Sequence, residues 1–253
     1  MTISIAQTQM FLLALTRIMA ITMQVPVLGG QTIPTQVRVG LGLMLTALLM
    51  PWQILPASAD ALPLLGLTMA VGRELIIGFL AGFAAALTFN MLQIAGEMMA
   101  LGSGFGSGRI LNPTLGDSGS AMDQLYVMIA MLIFLVLNGH HSVLLAIHQT
   151  FVVLPINHPL PEISGVVLIN MTAQLIAAGV QIALPVVGAL LMTDITLGLL
   201  ARVAPQVQVF FLGLPLKIAI GMFALGLVFS ISMPFVTDTF ASMGGRMLKL
   251  LGG

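Results

Sequence analysis

Six charged side chains lie within or beside apolar stretches of this chain, and they are the strongest candidates for a chemical role. Placing a charge at the centre of a bilayer costs roughly 2.5–3.5 kcal/mol, so each needs a partner or water beside it. One possible chemistry is a polar pathway or proton relay. The alternative is pairing between helices or between subunits, which the adjacent Arg73 and Glu74 favour. The residues concerned are Arg17, Arg73, Glu74, Glu97, Asp194 and Lys217.

A glycine-rich segment, 102–120, holds six glycines and one aromatic residue. Glycine at alternate positions permits backbone conformations that other residues avoid. Irregular backbone at membrane depth is tolerated only inside protein or beside a water-filled cavity. The segment therefore predicts a constriction or plug of a pore, with a flexible solvent loop as the alternative. The candidate residues are Gly102, Ser103, Gly104, Phe105, Gly106, Asn112 and Pro113.

The remaining polar and small residues predict packing rather than catalysis. Gly78 and Gly82 form a GxxxG pattern, which lets two helices approach closely. The four histidines lack the close spacing or carboxylate company that a metal ion needs, and Asn138-Gly139-His140 predicts a break between two helices. No HExxH, GxSxG or Gly-Lys-Ser/Thr motif is present. We expect no enzyme activity, no metal and no cofactor.

Composition places these residues in a membrane. Hydrophobic residues make up 58% of the 253 residues and charged residues only 6%, with a mean hydropathy of +1.12. A soluble domain carries about 25% charged residues, which keep its surface in water. The formal net charge of zero gives no basic field for nucleic acid, so no nucleic-acid partner is expected. The chain has no cysteine. The fold class predicted is an all-α integral membrane protein.

Proline and glycine clusters divide the apolar sequence into about six long helical elements arranged as hairpins. The third and fifth have about 40 residues, longer than one simple crossing requires, and are expected to be tilted, kinked or folded as hairpins. Pro185 predicts a kink in the fifth. Lysine and arginine counts in the loops do not select an orientation. The elements are 3–28, 35–55, 61–101, 121–154, 163–203 and 207–237, followed by a short basic tail, 238–253.

A stretch from Thr193 to Lys217 carries a specific family pattern. Its core reads leucine-glycine-leucine-leucine, any residue, Arg202, any residue, alanine, Pro205 and Gln206, followed by an apolar run to the lysine. With Phe134-Leu-Val-Leu-Asn138-Gly139-His140 and other segments upstream, the chain resembles the FliR family of type III export-gate membrane proteins along essentially its whole length. It departs from the family where Asn112-Pro113 stands in place of an aspartate-proline pair.

The resemblance implies a structural role in protein export. Family members act as one copy within a gate that also contains FliP-like and FliQ-like membrane subunits and further export-apparatus proteins, in the bacterial inner membrane at the flagellar basal body. Exported flagellar proteins pass through this gate. Within one membrane domain, 1–253, the resemblance implies a FliP-like part, 1–154, and a FliQ-like part, 163–253. The candidates for assembly are Arg73, Glu74, Gly78, Gly82, Glu97, Asp194, Arg202, Pro205, Gln206 and Lys217.

The sequence leaves other interpretations open. The sibling family of virulence injectisomes shares the arginine-alanine-proline-glutamine core, although Gly213-Leu-Pro215-Leu-Lys217 favours the flagellar group. An independent small-molecule transporter would need inverted repeats and broken midplane helices, which the sequence does not show. A scaffold that nucleates the gate without lining its pore fits the sequence equally well.

Overall fold

The computed structural model describes residues 4–30, 33–49, 61–104, 121–160, 164–206 and 208–252. All regular secondary structure in these ranges is α-helical, which confirms the predicted class. The helices are α1 (Ile5–Thr22), α2 (Pro26–Gly29), α3 (Thr35–Leu49), α4 (Leu64–Ser103), α5 (Ala121–Val136), α6 (Gly139–Val153), α7 (Gly165–Val203), α8 (Val209–Ala241) and α9 (Met243–Lys249).

Four of these helices are long and apolar enough to cross a membrane, within the part of the chain that the structure describes. They are Ile5–Thr22, Leu64–Ser103, Gly165–Val203 and Phe211–Ala241; Gln124–Val136 and Gly139–Val153 add a fifth if the two are counted as one broken span. Such lengths suit a hydrocarbon core about 30 Å thick. The chain is therefore an integral membrane protein.

The two longest elements are single helices rather than hairpins. Helix α4 runs for 40 residues without interruption and α7 for 39, through Pro185. The predicted fourth element, 121–154, consists of two helices, because Asn138 adopts a left-handed conformation (φ 52°) that separates α5 from α6. Asparagine tolerates this region better than most residues. The break predicted at Asn138-Gly139-His140 is confirmed.

One compact unit contains residues 1–87, 137–171 and 241–253. In it α1 packs on α3, and α9 packs on α6. Met243 and Met247 of α9 are fully buried, and Gly244 approaches the Ser142 carbonyl of α6. The predicted short basic tail, 238–253, begins in the last turn of α8, which ends at Ala241, and continues as the packed helix α9 with Arg246 and Lys249 in its last turn. Methionine suits this contact because it fills irregular gaps.

The second compact unit contains residues 88–136 and 172–240. The ring of Phe89 lies 5.3 Å from that of Phe134 and 5.2 Å from that of Phe240, centroid to centroid. Met91 of α4 contacts Gly179 of α7, and eleven residues further along each helix Gly102 contacts Leu190. The two helices therefore run parallel. This unit holds the end of α4, where the glycine-rich segment begins.

Candidate functional site

A buried ion pair joins α1 to α4. The Nε of Arg17 donates to Oε2 of Glu74 at 2.5 Å, and the two side chains are 0% and 1% exposed. Burying these two charges costs several kcal/mol of desolvation free energy for each. Good ion-pair geometry and further hydrogen bonds are needed to offset that cost. The sequence located both charges in apolar stretches but did not indicate that they pair with each other.

The Arg17 guanidinium also caps the end of α6. Its Nη1 donates to the carbonyls of Thr150, at 3.0 Å, and Leu154, at 2.6 Å. These carbonyls lie at the last turn of α6, where the helix dipole favours a positive charge. The Thr150 carbonyl also accepts the backbone N–H of Leu154 at 2.9 Å. The Phe151 ring lies 4.5 Å from the guanidinium carbon, within range of a cation–π contact. Arg17 is therefore both a counter-ion and a helix cap.

Glu74 extends the same network into the turn that follows α6. Its Oε1 accepts a hydrogen bond of 3.2 Å from the backbone N–H of Asn157. Asn157 has a positive φ of 63°, a conformation that asparagine adopts at low cost in turns. One ion pair thus fixes α1, α4, the end of α6 and this turn relative to one another.

Two glycines explain how α1 and α4 come close enough for the pair to form. A Cβ at Gly78 would lie 2.7 Å from the Arg17 carbonyl oxygen and from the Ala20 Cβ. A Cβ at Gly82 would lie 3.0 Å from the Ile21 carbonyl. The tight packing predicted for this GxxxG pattern is confirmed, and it occurs between helices of the same chain. Because Gly78 follows Glu74 by about one turn, the contact places the carboxylate beside Arg17.

A second ion pair lies in the other unit, between Lys217 of α8 and Asp194 of α7. It is more accessible, with side-chain exposures of 23% and 46%. Thus Arg17, Glu74, Asp194 and Lys217 are paired between helices, one of the two outcomes that the sequence left open. Arg73 is half-buried and Glu97 exposed, while Arg202, Pro205 and Gln206 are exposed near the end of α7. The assembly role of these residues stays a prediction.

The glycine-rich segment starts from a packed helix end. Gly102 and Ser103 form the last turn of α4, two residues beyond the predicted end of that helix, and Gly104 (φ 85°) terminates it. Gly102 contacts Leu190 of α7, and a Cβ at Gly221 of α8 would lie 3.2 Å from Ser103, which is buried. The remaining predicted residues, Phe105, Gly106, Asn112 and Pro113, lie outside the described residues.

No cluster of three or more histidine, aspartate or glutamate side chains that could hold a metal ion occurs within the described ranges. The rings of His140 and His141 lie edge to face with centroids 4.6 Å apart. They are at the start of α6, beside the break at Asn138.

Comparison with known proteins identifies the family. Residues 8–243 match the profile of the bacterial export proteins, family 1. The chain belongs to this family. It is 28% identical to the flagellar biosynthetic protein FliR of Escherichia coli K12, over 94% of this chain and 90% of that protein, and 28% identical to FliR of Pectobacterium carotovorum, over 93% and 90%. The Yop proteins translocation protein T of Yersinia pestis is 29% identical over 61% of this chain and 60% of that protein.

The Asp194–Lys217 pair of this export protein gives a direct test of the contact between α7 and α8. Lys217→Glu is expected to lower the yield of folded protein, because two like charges then lie within ion-pair distance. The double reversal Asp194→Lys/Lys217→Glu restores opposite charges and is expected to recover that yield. Folded yield is measured by size-exclusion chromatography of the detergent-extracted protein. A double reversal no better than the single change would contradict the pairing.

Proposed function

We propose that this chain is a subunit of the flagellar type III export apparatus and helps to form and close the channel for unfolded flagellar proteins. The observation that carries the proposal is the family match over residues 8–243. Relatives named flagellar biosynthetic protein FliR align over about nine-tenths of both chains, whereas the Yersinia relative aligns over about three-fifths. This difference favours the flagellar apparatus over an injectisome. The role assigns no catalytic step to the chain.

The proposed setting is the bacterial inner membrane, in a complex with FliP-like and FliQ-like subunits. The outer surface of unit 2 supports partners of this kind. Only 11% of the apolar window of Phe211–Ala241 is buried within the chain, and Phe211, Phe223 and Ile231 are each more than 70% exposed. Apolar surface of this extent needs lipid or another apolar subunit to cover it.

Closure of the channel is assigned to the segment that follows Gly104. The support is its anchorage: Ser103 is buried and Gly102 contacts Leu190, so the segment leaves from a packed helix end. The six glycines of 102–120 also permit backbone conformations that other residues avoid.

Deleting residues 105–112, while keeping Gly102, Ser103 and Gly104, is expected to leave a gate that conducts ions when no protein is being exported. The reason is that the obstruction is removed while the helix packing around Leu190 stays intact. The measurement is conductance of the reconstituted complex, or ion leak in cells that express it. A deletion outside the segment, of residues 159–160 in an exposed loop, serves as the control. Unchanged leak together with unchanged secretion would contradict the plug; unchanged leak with loss of the assembled complex would favour a scaffold.

A further inference from the structure

A line of polar side chains runs along one exposed face of α4 in unit 2. Asn90, Gln93 and Glu97 are all exposed, and their spacing of three and four residues places them on one side of a helix. They lie in a 40-residue helix long and apolar enough to cross a membrane. The side chains of Asn90 and Gln93 form no hydrogen bond with any of the described residues. We call these three residues the polar stripe.

The other sides of this part of α4 are covered. Met91 and Ile94 meet Gly179 of α7, and Gly96 meets Tyr126 of α5. Asn90 and Gln93 therefore lie on a side of the helix that the described residues leave open, and Leu101 on the same side is 63% exposed. Amides without partners in hydrocarbon cost several kcal/mol each. This side of α4 consequently faces water or a polar molecule rather than lipid tails.

The exposed residues in the first part of α4 have a different chemistry. Leu75, Ile76 and Phe79 are 48%, 43% and 57% exposed, and the polar residues of this part that are not buried are Thr68, which is exposed, and Arg73, which is half-buried. That part of the helix suits lipid or an apolar partner. The change to exposed amide and carboxylate groups occurs near Asn90, and the stripe continues to within two turns of Gly104, where the glycine-rich segment begins. The polar stripe therefore lies in the same helix as Gly104, about two turns before the candidate plug begins.

We propose that the polar stripe faces the aqueous path of the channel and hydrogen-bonds the main chain of the unfolded protein in transit. This inference rests on the proposed function. An unfolded chain presents backbone N–H and C=O groups at every residue, and each seeks a partner. Asparagine and glutamine offer both donors and acceptors. Such contacts do not depend on the sequence that passes, as a channel for several different proteins requires.

The test uses the natural absence of cysteine in the chain. Gln93→Cys introduces a single thiol into the stripe, and Phe223→Cys introduces one at an exposed apolar position of α8. Each variant is expressed in its full apparatus and treated with a membrane-impermeant maleimide. Labelling is expected for Gln93→Cys and not for Phe223→Cys. An export substrate with its own single cysteine, stalled by a stably folded fusion domain, is expected to form a disulfide with the Gln93→Cys variant only.

Each outcome bears on one of the two proposals. A thiol at position 93 that resists the maleimide, or forms a disulfide with a membrane subunit and none with the stalled substrate, would overturn the channel-facing stripe. The proposed function would survive that outcome, provided that the variant strain still exports. Normal export in cells that lack this chain would instead overturn the proposed function. Glu97→Gln retains hydrogen-bonding capacity, so it is expected to keep both the labelling and the cross-link at position 93.

Discussion

Replacing Glu74 with leucine is expected to lower the free energy of unfolding by about 3–5 kcal/mol, the usual effect of removing one partner of a buried pair. The fully buried Arg17 then keeps its charge without a counter-ion, and the backbone N–H of Asn157 loses its acceptor. The measurement is the apparent melting temperature of the detergent-extracted protein, together with its folded yield. Thr46→Val, which also removes a buried polar group but in α3, provides the control for general loss of polar atoms.

The double variant Arg17→Met/Glu74→Leu separates stability from positioning. Replacing both members of a buried pair by apolar residues of similar size is often neutral or stabilising, so its melting temperature is expected to return close to that of the parent. Export is expected to remain impaired, because methionine cannot cap the Thr150 and Leu154 carbonyls. A single Glu74→Leu variant as stable as the parent would contradict the buried pair. A stable double variant with full export would show that the cap is dispensable.

The sequence predicted the features that depend on local chemistry. Asparagine followed by glycine at 138–139 indicated a helix break, because these residues tolerate the left-handed backbone found at Asn138. The GxxxG pattern at Gly78 indicated close helix packing for an equally local reason. Both conclusions follow from what one residue or one turn permits, and both agree with the structure.

The sequence did not predict which residues meet across the fold. Arg17 could be recognised as a charge in an apolar stretch, but nothing local decides which of Glu74, Glu97 and Asp194 is its partner. Arg17 is 57 residues from Glu74 and 133 residues from Thr150 along the sequence. Its contacts with them therefore depend on how α1, α4 and α6 pack. The packing of the short basic tail could not be predicted for the same reason, since Arg246 and Lys249 indicate only its charge. The buried Met243 and Met247 are explained only by the contact with α6.

Gly78→Ala tests whether the close packing of α1 on α4 and the Arg17–Glu74 ion pair depend on each other. The added Cβ would lie 2.7 Å from two atoms of α1, one of them backbone, so the helices must separate. Overpacking of this kind costs about 1–3 kcal/mol, and separation also lengthens the Arg17–Glu74 contact. Gly72→Ala is the matched control on the same helix, since a Cβ there meets nothing within 4 Å. That control is expected to raise stability by about 0.5–1 kcal/mol, the ordinary gain of alanine over glycine in a helix.

Combining Gly78→Ala with Glu74→Leu gives the decisive comparison. If the glycine acts partly by bringing Glu74 to Arg17, the double variant loses less stability than the sum of the two single changes, because the pair can be broken only once. Coupling of this kind between residues in one network amounts to about 0.5–3 kcal/mol. Gly72→Ala combined with Glu74→Leu should be additive. Strict additivity for both combinations would mean that the close approach of α1 and α4 serves packing alone, and that the ion pair finds its geometry independently of Gly78.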